Sequence, residues 1–220
     1  MGGQHDIVEG YHNQIRYDVM DSIPRTDGTL IDVGGGTGAT AAHVKSLGLA
    51  SRVGTVDMVR PESTPDGVDF QFFGNIEDGG FLAEVVEKEG PFGTILCLDI
   101  LEHLVDPWKL VASLGDALAP GGRIVASIPN VRHYRVSGAL FFKDSWRLDD
   151  AGILDRTHLR FFVKETAVEL MTSSGLQLES VEAPKRTRHR RRVAAFHKLT
   201  GGKLNSLVDV QYVVVVRKAE

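Results

Sequence analysis

The sequence contains very little cysteine, no long apolar run and no compositional break. Its single cysteine, Cys97, excludes an intrachain disulfide framework and a cysteine-based zinc site. No stretch approaches the roughly 18 consecutive apolar residues of a membrane span, and no basic-then-apolar signal pattern opens the chain. We therefore expect a cytoplasmic protein with a single domain over residues 1–220.

An excess of charge of one sign is also lacking. The formal net charge is −4, with 25% charged and 42% hydrophobic residues, as in ordinary globular domains, so nucleic acid is not an expected partner. A dense basic run nevertheless occupies residues 185–192. It predicts either a solvated loop or peripheral contact with an anionic surface such as a membrane face, a glycan or RNA. The oligomeric state is not predicted.

Short apolar runs alternate with helical patterns, which is typical of βαβ units and a mostly parallel sheet. Helical spacing and capping signals predict helices at 40–47, after Asp106 and at 164–174. Strands are predicted at 29–33, 52–56, 68–72, 92–98, 123–128, 176–181 and 208–217. Because no helix is predicted between the last two, they should pair antiparallel. The expected fold class is α/β: a Rossmann-like seven-stranded sheet with five parallel strands, a C-terminal antiparallel hairpin and helices on both faces.

The strongest site signal is the stretch LIDVGGGTG at residues 30–38, where the first predicted strand ends. Glycines let the backbone approach a ligand closely, and the N-terminus of the following helix favours an anionic group. Asp57 ends the second predicted strand about twenty residues later, where a carboxylate can accept both hydroxyls of an adenosine ribose. An adenosine ligand with an anionic group is therefore predicted. The loop also fits G-x-G-x-x-A, so a dinucleotide and S-adenosylmethionine both remain open.

Over nearly its whole length the chain resembles the class I S-adenosylmethionine-dependent methyltransferases. Residues 31–38 resemble that family's first motif, with Gly35 in place of the commoner Cys. The stretch LDILEHL at 98–104 is similar to the motif after strand four, and LAPGG at 118–122 to the turn before strand five. The terminal hairpin is also typical of this family and not of nicotinamide-binding domains, so the resemblance favours a methyltransferase over an oxidoreductase.

This resemblance implies S-adenosylmethionine as the cofactor. Its methionine part would lie along the glycines, its ribose against Asp57, and its adenine at Asn75, where the family usually has Asp. Asp99 would face the sulfonium side, and an N-terminal helix would close over the site. The full cofactor-binding set implied in this way is Tyr11, Arg16, Asp32, Gly34, Gly35, Gly36, Gly38, Asp57, Met58, Asn75, Ile76 and Asp99.

A narrower resemblance concerns PNVRHY at 129–134, GILDRTHLRFF at 152–162 and QYVVVVRK at 211–218. These stretches are similar to bacterial methyltransferases of sugar and polysaccharide biosynthesis. They imply O-methylation of a sugar, nucleotide sugar or glycan-related acceptor. Two alternatives remain: methylation of a quinone, phenolic or polyketide product, and a non-catalytic module that binds S-adenosylmethionine. A base methyltransferase is disfavoured, because residues 99–102 lack the Asn/Asp-Pro-Pro-aromatic motif.

Methyl transfer to a hydroxyl needs a base, and histidine is the usual one near neutral pH. His103, His133 and His158 fall where the acceptor should lie. Asp155 could orient His158 or act as the base itself. Each histidine also has a purely structural interpretation. Asp155 and His158 alone are weak evidence for a metal, so none is predicted. The predicted catalytic residues are His103, His133, Asp155 and His158.

Residues 130–160 form a long excursion between the fifth predicted strand and the last predicted helix. An excursion of this length inside a compact domain is usually functional. Several guanidinium groups near an acceptor site indicate recognition of phosphate or carboxylate, so an anionic small-molecule or glycan acceptor is expected. The basic residues of this segment are Arg132, Arg135, Lys143, Arg147, Arg156 and Arg160.

Overall fold

Seven strands form one mixed sheet in the computed structural model, which describes residues 14–184 and 204–220. They are β1 Thr29–Val33, β2 Arg52–Asp57, β3 Phe70–Phe73, β4 Phe92–Leu98, β5 Leu118–Pro129, β6 Gln177–Glu182 and β7 Gln211–Arg217. Their order across the sheet is β3-β2-β1-β4-β5-β7-β6. The first five pair in parallel, and β7 is antiparallel to both β5 and β6. The predicted fold class is confirmed.

Five α-helices surround the sheet in the described part of the chain. They are α1 Ala39–Ser46, α2 Gly79–Glu89, α3 Pro107–Ala117, α4 Tyr134–Lys143 and α5 Lys164–Thr172. The apolar residues of α2, α3 and α5 share one core with one face of the sheet, and those of α1 share a second core with the other face. Within the described residues, none of the helices has both the length and the apolar character that crossing a membrane requires.

The near-continuous apolar strands are explained by burial on both faces of the sheet. Ile31 packs into the core of α2, α3 and α5, whereas its neighbour Leu30 packs into the core of α1. The same alternation places Ile124 and Val125 of β5 in different cores. Because a strand points successive side chains to opposite faces, a central strand with helices on both sides can be apolar at every position.

Several element boundaries differ from those predicted, most of them by one or two residues. The strand β5 begins at Leu118, because this residue already pairs with Phe92 before the register shifts across the glycine turn. The strand β7 begins at Gln211, since Asn130 binds the preceding backbone at Asp209 and Val210. The excursion at 130–160 contains a helix, α4, and a further helix, α2, lies in a segment for which no helix was predicted.

Candidate functional site

The candidate site lies at the carboxyl edge of the sheet, where β1 and β4 are neighbours and the chain connections leave in opposite directions. In open α/β sheets ligands bind at such a switch point. Here the loop between β1 and α1 contains three glycines, Gly34, Gly36 and Gly38, with φ of 76°, 54° and 91°. These left-handed conformations favour glycine over any residue with a Cβ. The glycine loop therefore keeps bare backbone at the edge of the sheet.

Packing adds a second constraint on this loop. A Cβ built on Gly34 would lie 2.5 Å from Cδ1 of Ile100, and one on Gly38 would lie 2.8 Å from Cγ2 of Val68. The Gly34 amide also donates to the carbonyl of Val56 at 2.7 Å. The loop is thus held between β2 and the residues that follow β4.

Asp57, at the tip of β2, connects this strand to the glycine loop. Its Oδ2 accepts the Gly36 amide at 2.9 Å, and its Oδ1 accepts the Val59 amide at 2.9 Å. A carboxylate offers about four lone-pair positions, so two remain after these bonds. Two positions are what the vicinal hydroxyls of a ribose require. The geometry of Asp57 therefore fits an adenosyl ligand.

The residues expected near the adenine are arranged around the ends of β2 and β3. Met58 follows Asp57 with 72% of its surface exposed, and Ile76 is buried. The side-chain oxygen of Asn75 accepts the Glu77 amide at 3.0 Å. A large apolar side chain beside a carboxylate and an amide offers both stacking and hydrogen bonding to a purine.

Asp99 ends β4 and takes a left-handed conformation with φ of 55°, which is uncommon outside glycine. Its carboxylate accepts the Ser127 hydroxyl at 2.7 Å and pairs with Nη1 of Arg16 at 2.5 Å. The same guanidinium binds Asp18 through Nε at 3.0 Å. Arg16 and Asp99, both predicted from the sequence, therefore meet at one end of β4. Tyr11 lies outside the described residues.

Asp32 is buried within β1, below the glycine loop. Burial raises the pKa of Asp32 from 3.8 to about 7, with the Asp57 charge adding to the rise and the positive charge of Arg16 opposing it. A Cβ on Gly35 would lie 2.9 Å from Cγ of Asp32, so the loop covers this carboxyl group closely. Its position is beneath the candidate ligand site.

Two of the predicted catalytic histidines are neighbours near the turn that follows β4. The rings of His103 and His158 are 4.7 Å apart in an edge-to-face arrangement. They are held there because the amides of Leu159 and Arg160 both donate to the carbonyl of Glu102, at 2.8 and 3.0 Å. These two hydrogen bonds therefore connect the turn after β4, at residues 101–103, to the C-terminal end of the excursion.

Asp155 supports His103 through Thr157. Oδ1 of Asp155 accepts both the amide of Thr157 at 2.8 Å and its hydroxyl at 2.6 Å. Burial alone would raise the pKa of Asp155, but these two bonds lower it below its ordinary value. Asp155 thus positions the Thr157 hydroxyl 3.1 Å from Nδ1 of His103.

His133 is not part of this group. Its Nδ1 faces the Arg135 amide at 3.4 Å and so caps the first turn of α4, and burial together with the Arg135 charge lowers the pKa of this imidazole. Two of the arginines expected to bind an anionic acceptor have partners in the protein. Arg156 pairs with Asp150 at 2.5 Å, and Arg160 donates to the carbonyl of Val105.

Sequence reasoning did not single out Glu102 as a site residue. This acid is 1% exposed, and burial, with the nearby Asp99 charge, raises its pKa well above the ordinary range. A signal was available in the sequence, since Glu102 interrupts the apolar residues Ile100, Leu101 and Leu104. An acid inside an apolar stretch is rarely buried without a functional or structural partner.

The sheet has the strand order of a Rossmann-like methyltransferase fold, because β7 is inserted antiparallel between β5 and β6. The candidate site, at the carboxyl ends of β1 and β4, is also where this fold binds its ligand. This class uses S-adenosylmethionine, and the glycine loop, Asp57 and Met58 fit that cofactor. Residues 11–181 match the family model described as Methyltransferase domain, so the chain belongs to this methyltransferase family. The class predicted from the sequence is confirmed.

Similar proteins include two ubiquinone biosynthesis O-methyltransferases. The one from Xylella fastidiosa is 30% identical over 54% of this chain and 49% of its own length. The one from Xanthomonas euvesicatoria is 30% identical over 69% of this chain and 64% of its own length. The chain thus spans about half to two thirds of these curated relatives. A solved S-adenosylmethionine-dependent methyltransferase from Archaeoglobus fulgidus shares the fold, with a TM-score of 0.61, 16% identity and coverage of 98% of this chain and 95% of that one.

Proposed function

We propose that this chain transfers the methyl group of S-adenosylmethionine to a hydroxyl of a small phenolic or quinol-type acceptor. The observation that carries the methyl-transfer part is the arrangement at the switch point. One edge of the sheet is surrounded by the backbone of the glycine loop, the carboxylate of Asp57 and the Arg16–Asp99 pair. The Asp57 carboxylate accepts two backbone hydrogen bonds and can accept two more. When bound, S-adenosylmethionine supplies an electrophilic methyl group on a sulfonium whose leaving group is a neutral thioether.

The residues of this chain would position the donor and prepare the acceptor. Asp57 would hold the ribose, and the guanidinium of Arg16 would attract the donor's carboxylate. Alignment of the reacting atoms supplies much of the acceleration of such a displacement. The imidazoles of His103 and His158 would face the acceptor, where they could accept a proton or hold a cation.

Two observations support a phenolic or quinol-type acceptor. The relatives with 30% identity carry names from ubiquinone biosynthesis. In addition, large apolar side chains are exposed on and just after α4, with Phe141 at 82%, Phe142 at 81% and Trp146 at 42%. An apolar surface beside the excursion suits an aromatic or lipophilic molecule better than a highly hydrated one.

A sugar-like or glycan acceptor remains the second candidate. This candidate is supported by the motif at 152–162. An anionic group on the acceptor would have to bind arginines of the excursion, but Arg156 and Arg160 already bind groups of the protein. The basic run at 185–192, expected to contact an anionic surface, lies outside the described residues. The acceptor is best identified by presenting both chemical classes to the same protein.

The first experiment measures binding of S-adenosylhomocysteine by calorimetry. Asp57→Asn should weaken binding by about 10- to 100-fold, since a hydrogen bond to a charged group contributes about 1.5–3 kcal/mol. Asp116→Asn, an exposed acid on α3, is the matched control and should bind like the unaltered protein. Uptake of NAD in place of S-adenosylhomocysteine would contradict the proposal.

The second experiment incubates the protein with labelled S-adenosylmethionine and a panel of catechols, quinols, nucleotide sugars and glycans. Mass spectrometry should detect a methylated phenol or quinol. Methylation of the sugars alone would refute the phenolic assignment while keeping the methyltransferase. Tight binding of the donor without transfer to any panel member, including lipid-soluble quinols, would favour a non-catalytic module.

A further inference from the structure

The side chain of Glu102 is deeply buried among the residues that the structure describes. Only 1% of this residue is exposed, and neither Oε1 nor Oε2 receives a hydrogen bond from any described residue. A buried carboxylate without compensation is costly, and such groups are paired or bind metals. Glu102 therefore offers two buried carboxyl oxygens that no described residue engages by a hydrogen bond.

Two imidazoles lie beside this carboxylate. Nε2 of His158 is 3.9 Å from Oε1 of Glu102, and one ligand atom from each of Glu102, His103 and His158 can be chosen so that all three lie within 4.8 Å of one another. Ligand atoms that share one ion at bond lengths near 2.1 Å are about 3–4 Å apart. The spacing of up to 4.8 Å is wider than this, so binding of one ion requires the three side chains to draw closer together.

The hydrogen bonds behind the imidazoles set their orientation. The hydroxyl hydrogen of Thr157 goes to Asp155, whose carboxylate can only accept, so the Thr157 oxygen accepts from Nδ1 of His103 at 3.1 Å. Nδ1 of His158 likewise faces the carbonyl of Ile153 at 3.1 Å, to which it can only donate. Both Nε2 atoms are then left with lone pairs. Metal-binding histidines are held by outer hydrogen bonds in this manner.

We propose that Glu102, His103 and His158 bind a divalent transition-metal ion. The ion neutralises the buried carboxylate and uses the Nε2 lone pairs that the outer hydrogen bonds leave available. This site departs from the expectation of no metal, which considered only Asp155 and His158. Glu102 and His103 become candidates through the burial of Glu102 and the proximity of the two imidazoles in the fold.

The donor set selects the kind of ion. Two imidazoles and one carboxylate suit Zn²⁺, Mn²⁺ or Fe²⁺, whereas Mg²⁺ prefers oxygen ligands and retains its water. Zn²⁺ should bind more tightly than Mn²⁺, in accordance with the usual order of affinities. Three protein ligands also leave open coordination positions, as at catalytic metal sites.

The site also has a consequence that rests on the proposed function. The ligand Glu102 is three residues after Asp99, which is expected to face the sulfonium, so the ion would lie on the acceptor side of the donor. An acceptor hydroxyl bound to the ion would lose its proton to solvent more readily, because a metal lowers the pKa of a bound O–H group. The resulting oxyanion is the nucleophile that methyl transfer requires.

The test uses the full chain, stripped with a chelator and dialysed, and titrated by calorimetry with ZnCl₂, MnCl₂ and MgCl₂. We expect one site for Zn²⁺ and Mn²⁺ and much weaker binding of Mg²⁺. Loss of a group that hydrogen-bonds to a metal ligand weakens metal affinity by about 10- to 100-fold, so Glu102→Gln and His158→Gln, which remove ligands, should cost at least about 100-fold. Thr157→Val, which removes the partner of His103, should cost about 10-fold.

Two matched controls should bind Zn²⁺ like the unaltered protein. They are His43→Gln, on α1 at the opposite face of the sheet, and Glu87→Gln, exposed on α2. Because Glu102→Gln removes a buried charge, it should fold at least as well, which thermal unfolding checks. In the stripped protein S-adenosylhomocysteine should still bind while methyl transfer is lost, and Zn²⁺ or Mn²⁺ should restore it.

Several results would overturn the metal site. These are no Zn²⁺ or Mn²⁺ binding by the stripped protein, binding that Glu102→Gln and His158→Gln leave unchanged, and a preference for Mg²⁺. Failure of S-adenosylhomocysteine binding would instead contradict the proposed methyltransferase and leave the metal titrations valid. Full methyl transfer by the stripped protein would refute the role toward the acceptor, even if the ion bound.

Discussion

Replacing Asp32 by Asn should change how the stability of the protein depends on pH. The carboxyl group of Asp32 is buried within β1, and its folded-state pKa is about 7, against 3.8 for an ordinary aspartate. Because the folded pKa is raised, the folded state holds its proton to higher pH than the unfolded state. The stabilisation is therefore fully present below pH 3.8 and is lost as the pH rises through about 7.

The magnitude follows from the two pKa values. Each unit of pKa difference corresponds to about 1.36 kcal/mol, so the whole effect is about 4 kcal/mol. Between about pH 5 and pH 7 the free energy of unfolding should fall by about 2 kcal/mol from this group alone. Asn has nearly the same shape and no charge, so Asp32→Asn should lack this component.

Urea unfolding at several pH values measures the effect directly. A loss of about 2 kcal/mol corresponds to a midpoint shift of about 0.7 M urea for a slope of about 3 kcal/mol/M. Asp27→Asn, at an exposed position just before β1, is the control and should follow the unaltered protein. Parallel pH dependences for the protein and Asp32→Asn would show that the buried carboxyl group does not carry the effect.

Two further substitutions test the packing around the site. Gly34→Ala places a Cβ 2.5 Å from Cδ1 of Ile100 at a φ of 76°, so urea unfolding should show a loss of about 2–4 kcal/mol. Adding Ile100→Val should recover part of that loss, and no recovery would contradict the clash. Asn130→Ala removes amide bonds of 2.7 Å to the carbonyls of Ser206 and Asp209, and should cost about 2–4 kcal/mol. An unchanged urea midpoint would be evidence against that link.

Much of the fold could be predicted because its signals are local. The strands at the sheet centre are short apolar runs, and Asp106 followed by Pro107 marks the start of α3, where the Asp106 side chain accepts the Lys109 amide at 3.0 Å. The antiparallel pairing of β6 and β7 followed from the lack of a predicted helix between them. These features depend on neighbouring residues, so they are visible in sequence.

The acceptor side was less predictable because its geometry depends on contacts between distant segments. The bonds from Leu159 and Arg160 to Glu102 bring together residues more than fifty positions apart. From the sequence, His103, His133 and His158 are equal candidates for the catalytic base. Only the folded chain distinguishes His133, which caps α4, from the two that face Glu102.

The strand that comes last along the chain occupies an inner position of the sheet. Among the described residues, β6 has no other strand neighbour than β7, so it remains an unpaired edge until 211–217 have been synthesised and inserted. The side-chain amide of Asn130 donates to the carbonyls of Ser206 and Asp209, so these bonds also form only after the residues just before β7 have been synthesised. During synthesis, β1 to β5 can therefore pair with one another before residues 211–217 are available, whereas the pairing of β6 requires them.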